Sequence, residues 1–226
     1  MNDRHPREGG GPVFKLVIFD CDGVLIDSEP IANRVFRDGL AAAGLDLPIE
    51  TVMSTFVGNT KDGCIELAGR MLGRPLPADF GDRWDRELFA ALRAEVKPVE
   101  GIPELLASMR IPYCVASNGN PDRMQLALEA AGLLRFVDGR IFTASQVAKP
   151  KPAPDLFLHA AKTMGAAPRD CAVIEDTPTG TKAGVAAGMK VFGYAGAPHS
   201  DAASLSAHGA TVFWAVSELP ALLEPA

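Results

Sequence analysis

Short apolar runs that end in polar residues recur along the chain. The first covers Val13 to Asp20 and stops abruptly in acids and a glycine, the pattern of a buried strand feeding a loop. Comparable runs follow at Tyr113 to Ser117, Arg140 to Thr143, Cys171 to Glu175, Lys190 to Tyr194 and Thr211 to Trp214. Helical patterns lie between them. One runs from Asn120 as N-cap, through Pro121 in the first turn, to a stop at Gly132. Another opens near Ala153-Pro154-Asp155, carries Leu156, Phe157, Ala160, Ala161 and Met164 on one face, and ends at Gly165. Strands alternating with helices predict an α/β fold, a doubly wound, Rossmann-like parallel sheet covered on both faces.

The stretch 29–97 breaks this rhythm. It reads as helices without strand candidates, with Val35, Phe36 and Leu40, then Leu67, Met71 and Leu72, then Trp84, Leu88, Phe89 and Leu92 as apolar stripes. This predicts an all-helical cap domain inserted into a core domain made of 13–28 and 98–226. Residues 1–12 form a polar, Gly-rich tail, expected to be disordered. Linkers near Ser28 and Pro98 would let such a cap close over a cleft. Met53, Met71 and Met109, like Trp84 and Trp214, are expected to fill apolar space.

Composition narrows the function classes. With 226 residues and 47% hydrophobic content the chain can bury a sizeable core. A net charge of -6 speaks against a nucleic-acid surface, because a phosphate backbone demands clustered Lys and Arg. No apolar run approaches the ~20 residues of a membrane span. Cys21, Cys64, Cys114 and Cys171 have no metal-ligand spacing and read as reduced, buried thiols of a cytoplasmic protein. His5, His159, His199 and His208 form no spaced pair.

Loops at the carboxyl ends of parallel strands converge on one crevice. Here those ends carry Asp20 and Asp22, then Ser117-Asn118-Gly119, then Lys149-Pro150-Lys151-Pro152, then Glu175-Asp176-Thr177. Taken singly, each has an ordinary structural explanation: an acid-rich turn, a helix cap, solvated lysines. Together they supply what phosphoryl transfer requires. Asp20 can take a phosphoryl group as an aspartyl phosphate. Asp22, two residues on in an extended segment, can act as general acid and base, typically a ~100- to 10,000-fold contribution. Packing Asp20, Glu175 and Asp176 together calls for a cation, and Mg2+ prefers such oxygen ligands. Lys151, Ser117 and Asn118 would bind phosphoryl oxygens. In the cap, Asn59-Thr60-Lys61 follows Gly58 in a turn, with Lys61 a candidate substrate contact.

These segments resemble the haloacid dehalogenase (HAD) superfamily, specifically its phosphatases with a helical cap inserted after the first strand, the group that includes the beta-phosphoglucomutases. The resemblance rests on Phe19 through Glu29, Ala116-Ser117-Asn118-Gly119, Lys151-Pro152-Ala153-Pro154-Asp155 and Ile174 through Gly180. It implies Asp20 as nucleophile and Mg2+ ligand, and Asp22 as acid/base whose backbone carbonyl also binds metal. It implies Ser117 on a phosphoryl oxygen, Lys151 as cationic stabiliser, Asp176 as metal ligand and Glu175 as supporting acid. Thr177 stands where many relatives have serine. Dehalogenases lack the second acid, so Asp22 argues against that chemistry. Mutases typically carry a histidine where this chain has Ala32. The second half, through Met124-Gln125, His159-Ala160-Ala161-Lys162, Gly188-Met189 and Pro198-His199, is similar to bacterial 6-phosphogluconate phosphatases.

The expectation is therefore a magnesium-dependent phosphatase for a small phosphate ester, a sugar or sugar-acid phosphate such as 6-phosphogluconate. It would have no nucleic-acid or membrane partner and would be a monomer or weak dimer. Two alternatives are a hexose-phosphate mutase and a receiver-like signalling module that holds a phosphoaspartate.

Overall fold

The structure is a computed structural model that describes residues 14–56, 60–197 and 200–223. The expected tail, Gly58-Asn59 and Pro198-His199 lie outside the described residues. Six strands form one parallel sheet: β1 (Leu16–Phe19), β2 (Tyr113–Ser117), β3 (Ile141–Thr143), β4 (Cys171–Glu175), β5 (Lys190–Tyr194) and β6 (Thr211–Phe213). Their order is β3-β2-β1-β4-β5-β6, with β1 hydrogen-bonded to both β2 and β4. The chain thus reverses direction across the sheet beside its first strand, the place where open α/β sheets bind ligands.

The strands read as unbroken apolar runs because both faces are covered. In β1, Val17 and Phe19 enter one apolar cluster while Leu16 and Ile18 enter the cluster on the opposite face. Strands β2 and β4 divide in the same alternating way: Tyr113, Val115, Ala172 and Ile174 face one side, Cys114, Ala116, Cys171 and Val173 the other. All four cysteines are buried thiols, and burial pushes Cys114 up to about 12 and Cys171 up to about 11.

Between β1 and β2 lie α1 (Glu29–Ala42), α2 (Ile49–Phe56), α3 (Lys61–Leu72), α4 (Phe80–Glu95) and α5 (Ile102–Ser108). The first four build the inserted helical unit around Phe36, whose ring centroid lies 4.3 Å from Trp84 and 5.1 Å from Phe56. Its outer end has its own apolar cluster, including Leu40, Val52, Ala68 and Phe80. Its root does not. Ile31, Val35, Leu88 and Leu92 belong to the same cluster as Phe19 and Val115 of the sheet.

The two linkers run side by side: the Asp27 amide donates to Lys97 O at 3.0 Å, and the Val99 amide to Leu25 O at 2.9 Å. A pair of local expectations fail. Met71 is 42% exposed, because α3 turns Cys64 and Ala68 inward instead. Trp214 is 59% exposed, because it lies just past the end of the edge strand β6, beyond the packed residues.

The remaining helices cover the sheet, notably α6 (Pro121–Ala130), α7 (Leu134–Val137), α8 (Asp155–Thr163) and α9 (Pro178–Ala186). Helix α6 starts where the sequence places it, with the Asn120 side chain accepting from the Asp122 and Arg123 amides.

Candidate active site

Strand β1 ends at Phe19, which packs into the core, and Asp20 lies just beyond that end, 8% exposed. The Lys151 ammonium meets it from the loop after β3. Lys151 Nζ donates to Asp20 Oδ1 at 2.7 Å, to Glu175 Oε1 at 2.6 Å and to Ala116 O at 2.7 Å. Its fourth side rests on the Phe157 ring, 4.6 Å from the centroid. Burial works against the charged ammonium, but Asp20 and Glu175 outweigh it and lift Lys151 above its ordinary range. For Asp20 burial dominates: its carboxyl is held well above 3.8 despite Lys151, with Glu175 and Asp176 adding to the rise.

What holds Lys151 there is Asn118. Its side-chain oxygen accepts from the Lys151 amide and its nitrogen donates to Lys151 O, both at 3.0 Å. The sequence places Asn118 among the phosphate-binding residues; the structure directs its side chain to the lysine backbone instead. Ser117 is 3% exposed, and its hydroxyl accepts from the Gly119 amide at 3.1 Å.

Glu175 is spoken for on both oxygens. Oε1 takes Lys151, while Oε2 takes the Thr177 hydroxyl at 2.9 Å. The hydroxyl in turn accepts from the Gly180 amide at 3.1 Å, capping α9, so Thr177 rather than either acid caps that helix. Gly180 is required by proximity: a Cβ there would stand 1.7 Å from Glu175 Oε1.

Asp20, Glu175 and Asp176 are all buried, with carboxylate oxygens within 4.8 Å of one another. Three carboxylates against the single ammonium of Lys151 leave two negative charges to be offset in a dry site. That donor set, oxygen only, suits a hard divalent cation. The backbone supports this fit. Gly23 has φ +80, and a Cβ there would stand 2.0 Å from Asp176 Oδ2, so the turn after β1 admits that carboxylate only because it has no side chain. With Glu175 engaged by Lys151 and Thr177, Asp20 and Asp176 are the carboxylates best placed as direct ligands.

Asp22 sits apart from this floor. Its side chain is 24% exposed, accepting at Oδ1 from the Ser28 hydroxyl at 2.5 Å and at Oδ2 from Arg123 Nη2 at 2.9 Å. Sequence reasoning missed both partners. Ser28 stands out in the sequence only as a linker residue. Arg123 carries a signal that was there to use: a cation in the first turn of α6 opposes the helix dipole.

Lys61 does not join the site in this structure; its ammonium pairs with Asp85 Oδ2 at 2.5 Å, tying α3 to α4. A groove of about 600 Å3 between α4 and α6, lined by Asp85, Phe89 and Leu126, likewise holds none of these acids.

Comparison with known proteins identifies the family. The family model described as haloacid dehalogenase-like hydrolase matches residues 14–188. The chain is 31% identical to 6-phosphogluconate phosphatase of Escherichia coli over 92% of its own length and 94% of that protein. It is 32% identical to hexitol phosphatase A of the same species, over 79% and 82%. Among solved structures, a HAD family hydrolase from Deinococcus radiodurans with bound phosphate and sodium superposes with a TM-score of 0.81 at 38% identity, covering 94% of this chain and 96% of that one. The chain belongs to the haloacid dehalogenase-like hydrolase family and is a phosphoric monoester hydrolase. Among the described residues, no helix is long and apolar enough to cross a membrane.

Proposed function

Taking that family membership as the premise, we propose that the chain is a magnesium-dependent phosphatase for sugar or sugar-acid phosphates, acting through an aspartyl phosphate on Asp20. The observation that carries this reading is the buried cluster in which Lys151 bridges Asp20 and Glu175 beside Asp176. Asp20 offers one carboxylate oxygen to phosphorus while Lys151 neutralises the phosphoryl oxygens that gain charge. Asp20 and Asp176 would hold Mg2+, which supplies charge neutralisation across the nucleophile and the phosphoryl group. The Ser117 hydroxyl orients a phosphoryl oxygen. Asp22 protonates the departing alkoxide, then takes a proton from the water that hydrolyses the aspartyl phosphate.

The similarity to 6-phosphogluconate phosphatase and hexitol phosphatase A supports an open-chain polyol or sugar-acid leaving group. The test is a panel of phosphorylated sugars, polyols and sugar acids with and without Mg2+, reading phosphate release. Release should need the cation and be strongest on that class. Isomerisation outpacing release, or undiminished release in EDTA, would overturn the reading.

A further inference from the structure

Arg123 stands at the rim of the site, on an element that local physics does not favour for a cation. It lies in the first turn of α6, where the helix dipole already presents positive charge. Its guanidinium is 29% exposed and spends one N–H on Asp22. Among the described residues, Nε and Nη1 meet no protein acceptor. The space beside it is kept open by Gly119. A Cβ at that position would stand 3.2 Å from Arg123 Nη2 and 3.4 Å from both Asp22 Oδ2 and Ser117 Oγ. One small volume is thus bounded by the acid that serves the leaving oxygen, by a hydroxyl suited to the phosphoryl group, and by a cation with donors to spare.

We propose that Arg123 is a specificity-determining residue that binds an oxygen function on the carbon next to the phosphate ester, either a hydroxyl or a carboxylate. The inference rests on the phosphatase reading above and adds the feature of the leaving group that is read. The distances agree with it. Arg123 Nη2 is 2.9 Å from the Asp22 oxygen. A vicinal oxygen lies about 3 Å from the ester oxygen that Asp22 protonates, within one hydrogen bond of the guanidinium. Esters lacking that oxygen gain from the arginine only its hold on Asp22.

The experiment compares 2-hydroxypropyl phosphate with n-propyl phosphate, which differ only in the vicinal hydroxyl, and adds 2-phosphoglycolate against ethyl phosphate for the carboxylate. In the native enzyme kcat/KM should favour the oxygenated member of each pair. In Arg123→Met both rates fall, because Asp22 loses a partner, but the preference should collapse by a further ~10-fold or more, as expected for a lost charge-assisted hydrogen bond. Arg123→Lys should recover part of it. The pair whose preference collapses further identifies hydroxyl or carboxylate. An equal fall on both members of each pair would mean that Arg123 only anchors Asp22, and would overturn the inference while leaving the phosphatase reading intact. Failure of the native enzyme to release phosphate from p-nitrophenyl phosphate would instead overturn the phosphatase reading itself. Unfolding curves of the variants check that the fold is retained.

Discussion

Asp20 and Asp22 are two residues apart, yet they lie in opposite surroundings. The floor of the cleft, Asp20 with Lys151, Glu175 and Asp176, is buried and carries more negative than positive charge. The rim, Asp22 with Ser28 and Arg123, is part-exposed and locally balanced, one carboxylate against one guanidinium. The difference suits the chemistry proposed for each. A nucleophile that shares a cation gains from a dry site, where electrostatic interactions are strong. An acid/base must reach the leaving oxygen and exchange protons with water, so it stands where solvent enters.

Neutralising each acid in turn should separate floor from rim most strongly. Asp20→Asn should lower kcat by roughly 10,000-fold or more on every ester, since no nucleophile remains. Asp22→Asn should cost about 100- to 10,000-fold on alkyl phosphates. It should cost far less on p-nitrophenyl phosphate, whose leaving group departs without protonation. Equal losses across leaving groups would deny Asp22 its separate role.

The cations should differ as much as the acids. Lys151→Met leaves Asp20 and Glu175 buried without their partner, a loss of about 3–5 kcal/mol. Arg123→Met breaks a part-exposed pair and should cost no more than about 1 kcal/mol. Urea unfolding of the two variants decides between them, and similar midpoints would erase the distinction between floor and rim.

Cation binding should belong to the floor and depend on pH. Burial, with Glu175 and Asp176, holds Asp20 above 3.8, so without a cation its contribution to stability is complete below that value and lost as pH rises through the raised one. Mg2+ competes with that proton. At about 100 times its Kd it should raise Tm by roughly 5–10 °C at pH 8. The gain should be smaller at pH 5. A gain independent of pH would place the cation elsewhere.

A smaller test concerns Glu175. Gly180→Ala would put a methyl 1.7 Å from Oε1, so the carboxylate must leave Lys151. We expect a cost of about 1–3 kcal/mol with loss of activity, read from unfolding and phosphate release. Gly119→Ala, whose methyl would meet side-chain atoms at 3.2 Å or beyond, should leave stability nearly unchanged.

The apolar runs alone specified the parallel strands, because a strand buried on both faces must be apolar at every position, as in Leu16–Phe19. They also specified what stands at or follows the strand ends: Asp20 after β1, Ser117 closing β2, Lys151 in the loop after β3, and Glu175 and Asp176 at the end of β4. Capping chemistry was equally local, and Asn120 was readable as the start of α6.

The tertiary structure alone decided who meets whom. Lys151 reaches Asp20 across 131 positions and Arg123 reaches Asp22 across 101. Asn118 turns from substrate to the lysine backbone, and Lys61 to Asp85. In the inserted helices the pattern misled at Met71, because an amphipathic stripe says that a face is apolar but not which neighbour will cover it. Periodicity records the burial of each residue along its own element. Pairing between elements depends on how those elements dock, and a single chain of letters holds that only through the packing it produces.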